Sequence, residues 1–318
     1  MHAHPLLSSL LVVSLGLASP ALASGNETPP AERPLRILLT NDDGVAGAGL
    51  LLLRDTLCAA GYQVTVAAPA ADRSGTSAAL TLNQALRVTR SQFLCGDTLR
   101  PSLAVGGTPA DAVLFGLWSM GTERPDLVIS GMNSGQNVGR AVNHSGTVGA
   151  AVTAAEEGVP AIAVSIGLNF QDANTGFSQT TAAAPHAAAF VKTLIEKLRD
   201  TARHGDALLP DRVALNVNYP VVLGADGLFD PALVEEPRVT ALGHGEVVHP
   251  QYVQISTTPE VFVAVGSICG LQVACEAETV DHADTTALER GEISITPLTV
   301  DGAVSPWLRA RIHARLRR

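Results

Sequence analysis

The chain has 318 residues, of which 46% are hydrophobic and 16% charged, and its formal net charge at pH 7 is -9. This length suits one sizeable α/β domain with an appendage. The acidic balance argues against binding of nucleic-acid backbones, which needs clustered Lys and Arg. A small anionic ligand would therefore need a local positive field, from a metal or a helix N-terminus.

The first residues have the pattern of an export signal. An apolar core, Leu6–Leu17, is followed by the small residues Ser19–Ser24. This predicts a secretory signal peptide over residues 1–23, cleaved after Ala23, and the run is too short to span a bilayer. The alternative is a cytoplasmic protein with an unusual N-terminus, because His2 and His4 stand where Lys or Arg is usual. We expect a periplasmic or secreted protein with no membrane association after cleavage.

Residues 24–34 are polar and contain proline, which predicts a flexible lead-in. Beyond it, apolar runs alternate with helical patterns. The predicted strands are Arg36–Thr40, Gln63–Ala68, Asp126–Ser130, Pro160–Ser165 and Val213–Asn218, and the predicted helices are Gly47–Ala60, Pro109–Trp118, Thr147–Glu157 and Ala182–Arg203. Such alternation predicts a Rossmann-like, doubly wound, mainly parallel sheet in three α/β/α layers over residues 35–220. Ligands bind such sheets at the C-terminal ends of strands.

Residues 221–318 read as a β-rich extension. Short β-prone segments occur at Tyr252–Thr257, Val261–Val265 and Glu292–Leu298, without a clear helical partner. They are either extra strands on the core or an arm or hairpin for subunit contact, and the missing helical partner favours the arm. The basic residues of 309–318 predict a solvated terminal helix.

The cysteines form an even set in a chain with an export pattern, so one or two disulfides are plausible. They are Cys58, Cys95, Cys269 and Cys275. Cys269 with Cys275 is the favoured pair because their short separation suits a closed loop, which leaves Cys58 with Cys95. Spacing alone does not decide the connectivity. None has zinc-ligand spacing, and thiol catalysis is disfavoured because no Cys lies near a His in a recognisable nucleophile setting.

The acidic pair in Asn41-Asp42-Asp43-Gly44 directly follows the first predicted strand. Its two carboxylates are expected at the C-terminal end of a buried strand, where they would repel each other. A hard divalent cation, Mg2+ or Mn2+, takes oxygen ligands and relieves that repulsion. The pair therefore predicts a metal site.

Three later loops also follow predicted strands or begin helices: residues 68–77, 129–139 and 143–151. The first offers hydroxyls and amides, the second three glycines interleaved with amides such as Asn133, and the third hydroxyls before a small-residue helix. The helix start would seat a phosphate without any Lys or Arg. The competing interpretations are an ordinary loop, a strand-to-helix connection and helix capping.

His144 admits two roles, a proton donor to a leaving oxygen or, as we favour, a hydrogen-bonding loop residue. The segment Gly107–Asp111 predicts a capping box, with lining of a nucleoside pocket as the lesser alternative.

Two other functional motifs are excluded by the sequence. The glycine order of Gly44–Gly49 is wrong for a dinucleotide loop, and no hydrolase serine elbow follows a strand.

Taken together, these motifs resemble the SurE family of stationary-phase survival nucleotidases. The match follows the order Thr40–Gly44, Arg73–Gly75 after Ala68-Pro69, Gly107–Asp111, Ser130–Gly135 and Ser145–Val148, and continues through Asn216–Pro220, Asp284–Leu288 and Ser294–Leu298. The likeness covers nearly all of the chain after the predicted signal peptide.

The resemblance implies one divalent cation held by four ligands and a phosphate held by a second group. The ligands would be Asp42, Asp43, Ser74 and Asn133, and the phosphate would contact Gly44, Asn137, Ser145, Gly146 and Thr147. It implies hydrolysis of nucleoside 5′- and 3′-monophosphates, with short polyphosphate as a substrate of some members, and dimers or tetramers formed through the C-terminal β arm.

The expected protein is thus a metal-dependent 5′-nucleotidase with Asp42 and Asp43 as catalytic residues. Asp42 is either the general base or purely a ligand. The alternatives are a broad acid phosphatase or exopolyphosphatase on the same site, and a non-catalytic nucleotide-binding module. Two features depart from the family: Arg238–Val253 lacks the usual aromatic, Arg-containing pattern, and an export signal is atypical.

Overall fold

The computed structural model describes residues 33–202 and 207–300, together with Arg309. The predicted signal peptide, nearly all of the lead-in and, apart from Arg309, the predicted terminal helix lie outside these residues. Within the described ranges, no helix is long and apolar enough to cross a bilayer.

A nine-stranded sheet forms the centre of the molecule, in the order β3-β4-β2-β1-β5-β6-β7-β11-β8. The strands are β1 (Arg36–Thr40), β2 (Gln63–Pro69), β3 (Val88–Cys95), β4 (Thr98–Val105), β5 (Leu127–Ser134), β6 (Ala161–Ile166), β7 (Val213–Tyr219), β8 (Glu235–Val239) and β11 (Glu292–Thr299). From β4 to β7 all neighbours are parallel, whereas β3 is antiparallel to β4 and β11 to β7. The predicted Rossmann-like, mainly parallel sheet is confirmed.

Helices cover both faces of this sheet. They are α1 (Ala48–Ala59), α2 (Pro109–Met120), α3 (Gly146–Glu156), α4 (Ser178–Thr201) and the short α5 (Asp284–Glu289). Along β1, Ile37 and Leu39 pack with α1 and α4, whereas Leu38 packs with α2 and α3. Successive strand residues point to opposite faces, so a strand covered on both faces is apolar throughout.

All five predicted core strands and four predicted helices are present, with ends that differ by a few residues. Helix α4 begins at Ser178 rather than Ala182, because the Asp172 carboxylate accepts the N–H of Gln179 at 2.7 Å and supports the first turn. Strands β3 and β4 were not predicted. Most β3 side chains are exposed, so that edge strand lacks an apolar run.

The region after residue 220 divides into two parts. Strands β8 and β11 extend the main sheet, whereas β9 (Val248–Thr257) and β10 (Glu260–Ile268) form a separate antiparallel hairpin. The hairpin ends at a disulfide between Cys269 and Cys275, and a second disulfide joins Cys58 of α1 to Cys95 of β3. Both cysteine pairings discussed from the sequence are therefore present.

Candidate functional site

The polar loops predicted as functional meet at the C-terminal ends of the central parallel strands. Strands β1 and β5 pair in parallel with Thr40 beside Ser130, so Asp42 and Asp43 leave the sheet next to the segment that carries Asn133. Asn133 lies in turn beside Ser165 of β6. The sheet thus collects side chains that are far apart in sequence.

Asp42 is joined directly to the start of α3. Its carboxylate accepts the Thr147 hydroxyl at 2.7 Å and the Thr147 N–H at 3.1 Å. Asp42 is 3% exposed, and Thr147 is fully buried. A Cβ on Gly146 would lie 2.9 Å from the Asp42 Cβ, so the close approach requires glycine.

The ionised forms of the two adjacent carboxylates, Asp42 and Asp43, are disfavoured. Burial raises the pKa of Asp42, although the hydrogen bonds from Thr147 act in the opposite direction. Burial first, and then the charges of Asp42 and Asp72, raise the pKa of Asp43 to about 6. A concentration of negative charge with hard oxygen donors fits a divalent cation, which would stabilise both ionised forms. The residues present therefore fit the metal that the sequence predicted.

Ser74 lies in a loop anchored to the acidic pair. The N–H of Arg73 donates to the backbone oxygen of Asp42 at 2.7 Å. The Ser74 hydroxyl and N–H donate to the carboxylate of Asp72 at 2.7 and 2.8 Å, and these bonds hold the pKa of Asp72 below its usual range. Asp72 was missed by sequence reasoning, although an Asp two residues before a Ser is the pattern of an Asx turn.

Asn133 is half-buried at the end of β5 and oriented by its own loop. Its Nδ2 donates to the backbone oxygen of Gly135 at 2.7 Å. The amide nitrogen is therefore directed to the backbone, which leaves the amide oxygen as the donor atom suited to a cation.

The residues predicted to hold phosphate have different surroundings. Ser145 caps α3 by accepting the Val148 N–H at 3.1 Å, and its own hydroxyl hydrogen remains available to donate. Gly146 opens the helix, so its N–H has no intrahelical acceptor. Both Thr147 donors are directed to Asp42, and the Gly44 N–H donates to Asn41 Oδ1 at 3.1 Å. Ser145 and Gly146 thus offer the donors most open to an anion.

Asn137 lies within a buried polar network. Its N–H donates to Asn218 Oδ1 at 2.7 Å, its backbone oxygen accepts Asn216 Nδ2 at 2.7 Å, and its own Nδ2 donates to Ser165 Oγ at 2.8 Å. One amide hydrogen of Asn137 remains for another partner. Asn216 and Asn218 therefore hold this loop in place, a role that was not predicted from the sequence. The available signal was two Asn residues, two positions apart, on an otherwise apolar strand.

The predicted capping box at the start of α2 is present, because the Thr108 hydroxyl accepts the Asp111 N–H and the Asp111 carboxylate accepts the Thr108 N–H. His144, the residue before Ser145, is exposed. It lines a cavity of about 310 Å³, and its ring makes no hydrogen bond within the described part of the chain.

A family model described as "Survival protein SurE" matches residues 37–247. The chain is 36% identical over 267 residues to a protein of Geotalea uraniireducens named "5'-nucleotidase SurE", covering 84% of this chain and 94% of that protein. It is 34% identical over 281 residues to a protein of that name from Gloeobacter violaceus, covering 86% and 93%.

Among solved structures, the crystal structure of the Sure protein from Aquifex aeolicus is similar with a TM-score of 0.64 at 25% sequence identity. The match covers 89% of this chain and 100% of the Aquifex chain. The likeness therefore extends well beyond the acidic motif, into the C-terminal strands.

Proposed function

The chain belongs to the SurE family, and from that premise we propose that it hydrolyses nucleoside 5′-monophosphates, and also 3′-monophosphates, to nucleoside and phosphate with the help of one divalent cation. The observation that carries this proposal is the direct contact between Asp42 and Thr147. It brings a metal-type carboxylate pair to the N-terminus of α3, where an anion is stabilised.

Asp42, Asp43, Ser74 and Asn133 would hold the cation, Mg2+ or Mn2+. When bound, such an ion supplies Lewis-acid polarisation of a phosphoryl oxygen and lowers the pKa of a bound water. The Ser145 hydroxyl and the Gly146 N–H would donate to the phosphate oxygens and stabilise charge that develops there.

In the reaction, a water oxygen forms a bond to phosphorus while the bond from phosphorus to the ribose oxygen breaks. The attacking water loses a proton, for which the Asp42 carboxylate is the candidate acceptor. The leaving ribose oxygen takes up a proton, and His144, exposed in the neighbouring cavity, is the candidate donor. The Thr147 bonds to Asp42 fix the orientation of that carboxylate.

Two other functions use the same residues. A broad acid phosphatase or exopolyphosphatase would differ only in what the cavities accept, and a non-catalytic nucleotide-binding module would bind without turnover. The retained carboxylate pair favours catalysis. The decisive experiment measures phosphate release from nucleoside monophosphates, with Mn2+ and with a chelator, for wild type and Asp43→Asn. Tight nucleotide binding by calorimetry with no phosphate released would favour the binding module instead.

We also propose that the protein acts outside the cytoplasm, where it would dephosphorylate external nucleotides before nucleoside uptake. Two disulfides support this, because disulfides persist in oxidising compartments. Cell fractionation with mass spectrometry of the N-terminus tests it. Intact protein, uncleaved after Ala23, in the cytosolic fraction would contradict export.

The β9–β10 hairpin is proposed as the contact between subunits of a homodimer or homotetramer. It exposes large apolar side chains, among them Tyr252 at 73%, Ile255 at 63% and Phe262 at 50%. Such a strip is typical of a protein interface. Light scattering on Ile255→Ser/Phe262→Ser tests this: a smaller assembly than wild type is expected, and an unchanged mass would contradict the assignment.

A further inference from the structure

Asp284, the first residue of α5, is a fully buried acidic residue outside the groups assigned to the cation and the phosphate. One of its hydrogen bonds is local, because its Oδ1 accepts the N–H of Thr285 at 2.9 Å. The carboxylate also accepts the N–H of Gly243 at 2.9 Å and, with both oxygens, the N–H of Gly139 at 3.2 Å. Support for the start of α5 requires only the first bond, so the others serve to join separate segments of the chain.

Gly139 begins the segment that carries His144. It is the first residue of a short 3-10 helix, Gly139–His144, which ends immediately before Ser145 at the start of α3. The segments on either side have anchors of their own, because Asn137 is held by Asn218 and Ser145 caps α3. The bond from Gly139 to Asp284 fixes the beginning of the short helix between them.

The Gly243 segment leads to another wall of the cavity that His144 lines. The N–H of Arg140 donates to the Gly245 oxygen at 3.1 Å. A Cβ on Gly139 would overlap that same oxygen, so this close approach requires glycine. The chain continues from Gly245 into residues 246–250, which line the cavity together with His144. One carboxylate therefore ties two walls of this cavity to each other.

The loop that contains Gly243 is itself held in place. The carboxylate of Glu278 accepts the N–H of His244 at 2.9 Å and that of Gly245 at 2.8 Å. The loop is thus a fixed support, and Asp284 ties the beginning of the Gly139–His144 helix to it.

On the premise of the proposed nucleotidase function, we propose that Asp284 is a positioning residue for His144. Its carboxylate fixes the Gly139–His144 helix against the loop at Gly243, and that helix holds the His144 imidazole where it donates a proton to the leaving ribose oxygen. The effect depends on the leaving group. An alkoxide needs a proton in order to leave, whereas p-nitrophenolate leaves without one, so only the first reaction requires His144 in place.

The test is a double-mutant cycle of Asp284→Asn and His144→Ala, with kcat measured for adenosine 5′-monophosphate and for p-nitrophenyl phosphate at saturating Mn2+. With the nucleotide, Asp284→Asn is expected to lower kcat about tenfold in the wild-type background. It should lower kcat by less than about twofold where His144 is already Ala. With p-nitrophenyl phosphate, each variant should keep kcat within about threefold of wild type.

Asp126→Asn is the matched control. Asp126 likewise accepts a backbone N–H, that of Arg36 at 2.8 Å, but it lies at the N-terminal ends of β1 and β5, away from the site. This variant should lose stability and keep kcat for both substrates.

Gly243→Ala is a second test, which serves also if Asp284→Asn folds poorly. Its Cβ would press on the carboxylates of Asp284 and Glu278 and displace them without removing a charge. The same selective loss of nucleotide hydrolysis is expected. A thermal melt of each variant ensures that all assays are made on folded protein.

Equal losses on both substrates, or losses that add in full in the double variant, would show that Asp284 acts by a route other than His144 and would overturn the proposal. Wild-type kcat for the nucleotide in Asp284→Asn, or in His144→Ala, would overturn it as well. In each of these cases the wild type still hydrolyses the nucleotide, so the proposed nucleotidase stands. Absence of nucleotide hydrolysis by the metal-loaded wild type would instead overturn the proposed function.

Discussion

Asp42 and Thr147, which are 105 residues apart in sequence, are joined by two hydrogen bonds, from the Thr147 hydroxyl at 2.7 Å and from its amide at 3.1 Å. The first strand of the sheet is thereby tied to the first turn of α3. Asp42, the proposed metal ligand, and the N-terminus of α3, the proposed phosphate site, consequently share these contacts. A substitution at either one should alter the geometry of the other.

Thr147→Val keeps the shape of the side chain and removes its hydroxyl. The hydrogen bond from the Thr147 N–H to Asp42 remains, so we expect a stable fold whose free energy of unfolding falls by about 1 kcal/mol. We expect kcat to fall about tenfold or more, because the Asp42 carboxylate is less well oriented. Thr147→Ser, which retains the hydroxyl, is the control. Steady-state kinetics with urea unfolding measures both effects, and a fully active Val variant would show that the bond does not orient Asp42.

Asp43→Asn should stabilise the metal-free protein at neutral pH while abolishing its response to metal. The folded-state pKa of Asp43 is raised from 3.8 to about 6, so the ionised group lowers stability fully above about pH 6 and not at all below 3.8. Because Asp43 is partly exposed, we expect the free energy of unfolding of the metal-free variant to exceed that of wild type by only about 1 kcal/mol at neutral pH.

Urea unfolding of the metal-free protein in EDTA and, separately, of the protein in Mn2+ without chelator, at pH 5 and pH 7.5, tests Asp43. Wild type should gain stability from the ion by mass action, and the variant should not. Equal stabilisation of both proteins by Mn2+ would mean that Asp43 is not a ligand.

Asp72→Ala should weaken the cation site without touching a proposed ligand. The Asp72 carboxylate holds the Ser74 hydroxyl and N–H, so its removal frees the loop. Outer groups of this kind are worth about tenfold or more in metal affinity. Isothermal titration with Mn2+ gives the affinity, and Asp97→Ala, in the turn between β3 and β4, is the control. Identical affinities for the two variants would assign Asp72 no positioning role.

Glu278→Gln should cost stability in a defined pH window. The folded-state pKa of Glu278 is lowered from 4.5 to about 2, so its contribution is fully present above 4.5 and is lost as pH falls toward 2. We expect a cost of about 1 kcal/mol at pH 7, reduced by solvent screening, and almost none near pH 2. Denaturant unfolding across this range tests the sign, and a difference that grows on acidification would contradict it.

The two disulfides should have separable roles. Replacement of Cys58 and Cys95 by Ala opens a loop with a sequence separation of 37, against 6 for Cys269 and Cys275. The entropy model gives about 4 and about 2 kcal/mol of stability respectively. Cys269 and Cys275 line a cavity of about 640 Å³ that is also lined by Gln136 and Val138, the neighbours of Asn137. Loss of this second disulfide should therefore raise KM for the nucleotide more than loss of the first. Calorimetry and kinetics on both double variants decide this, and the opposite order of KM effects would contradict it.

The sequence by itself determined the alternating core and the identity of the acidic pair. Apolar runs such as Arg36–Thr40 had to be buried strands, and adjacent carboxylates after such a run indicated a cation. The capping box at Thr108 was also local, since it joins residues three apart.

Only the tertiary structure decided which distant groups meet. The hydrogen bond between Asp42 and Thr147 joins residues that no local sequence pattern connects. The same is true of the network that anchors Asn137 through Asn218. It is also true of the cavity beside the Cys269–Cys275 loop, whose lining comes from distant parts of the chain. Strand order and crossover fix these contacts, and sequence periodicity reports only the face and period of each element. The exposed edge strand β3 escaped prediction for the same reason, because its pairing with β4, not its own pattern, makes it a strand.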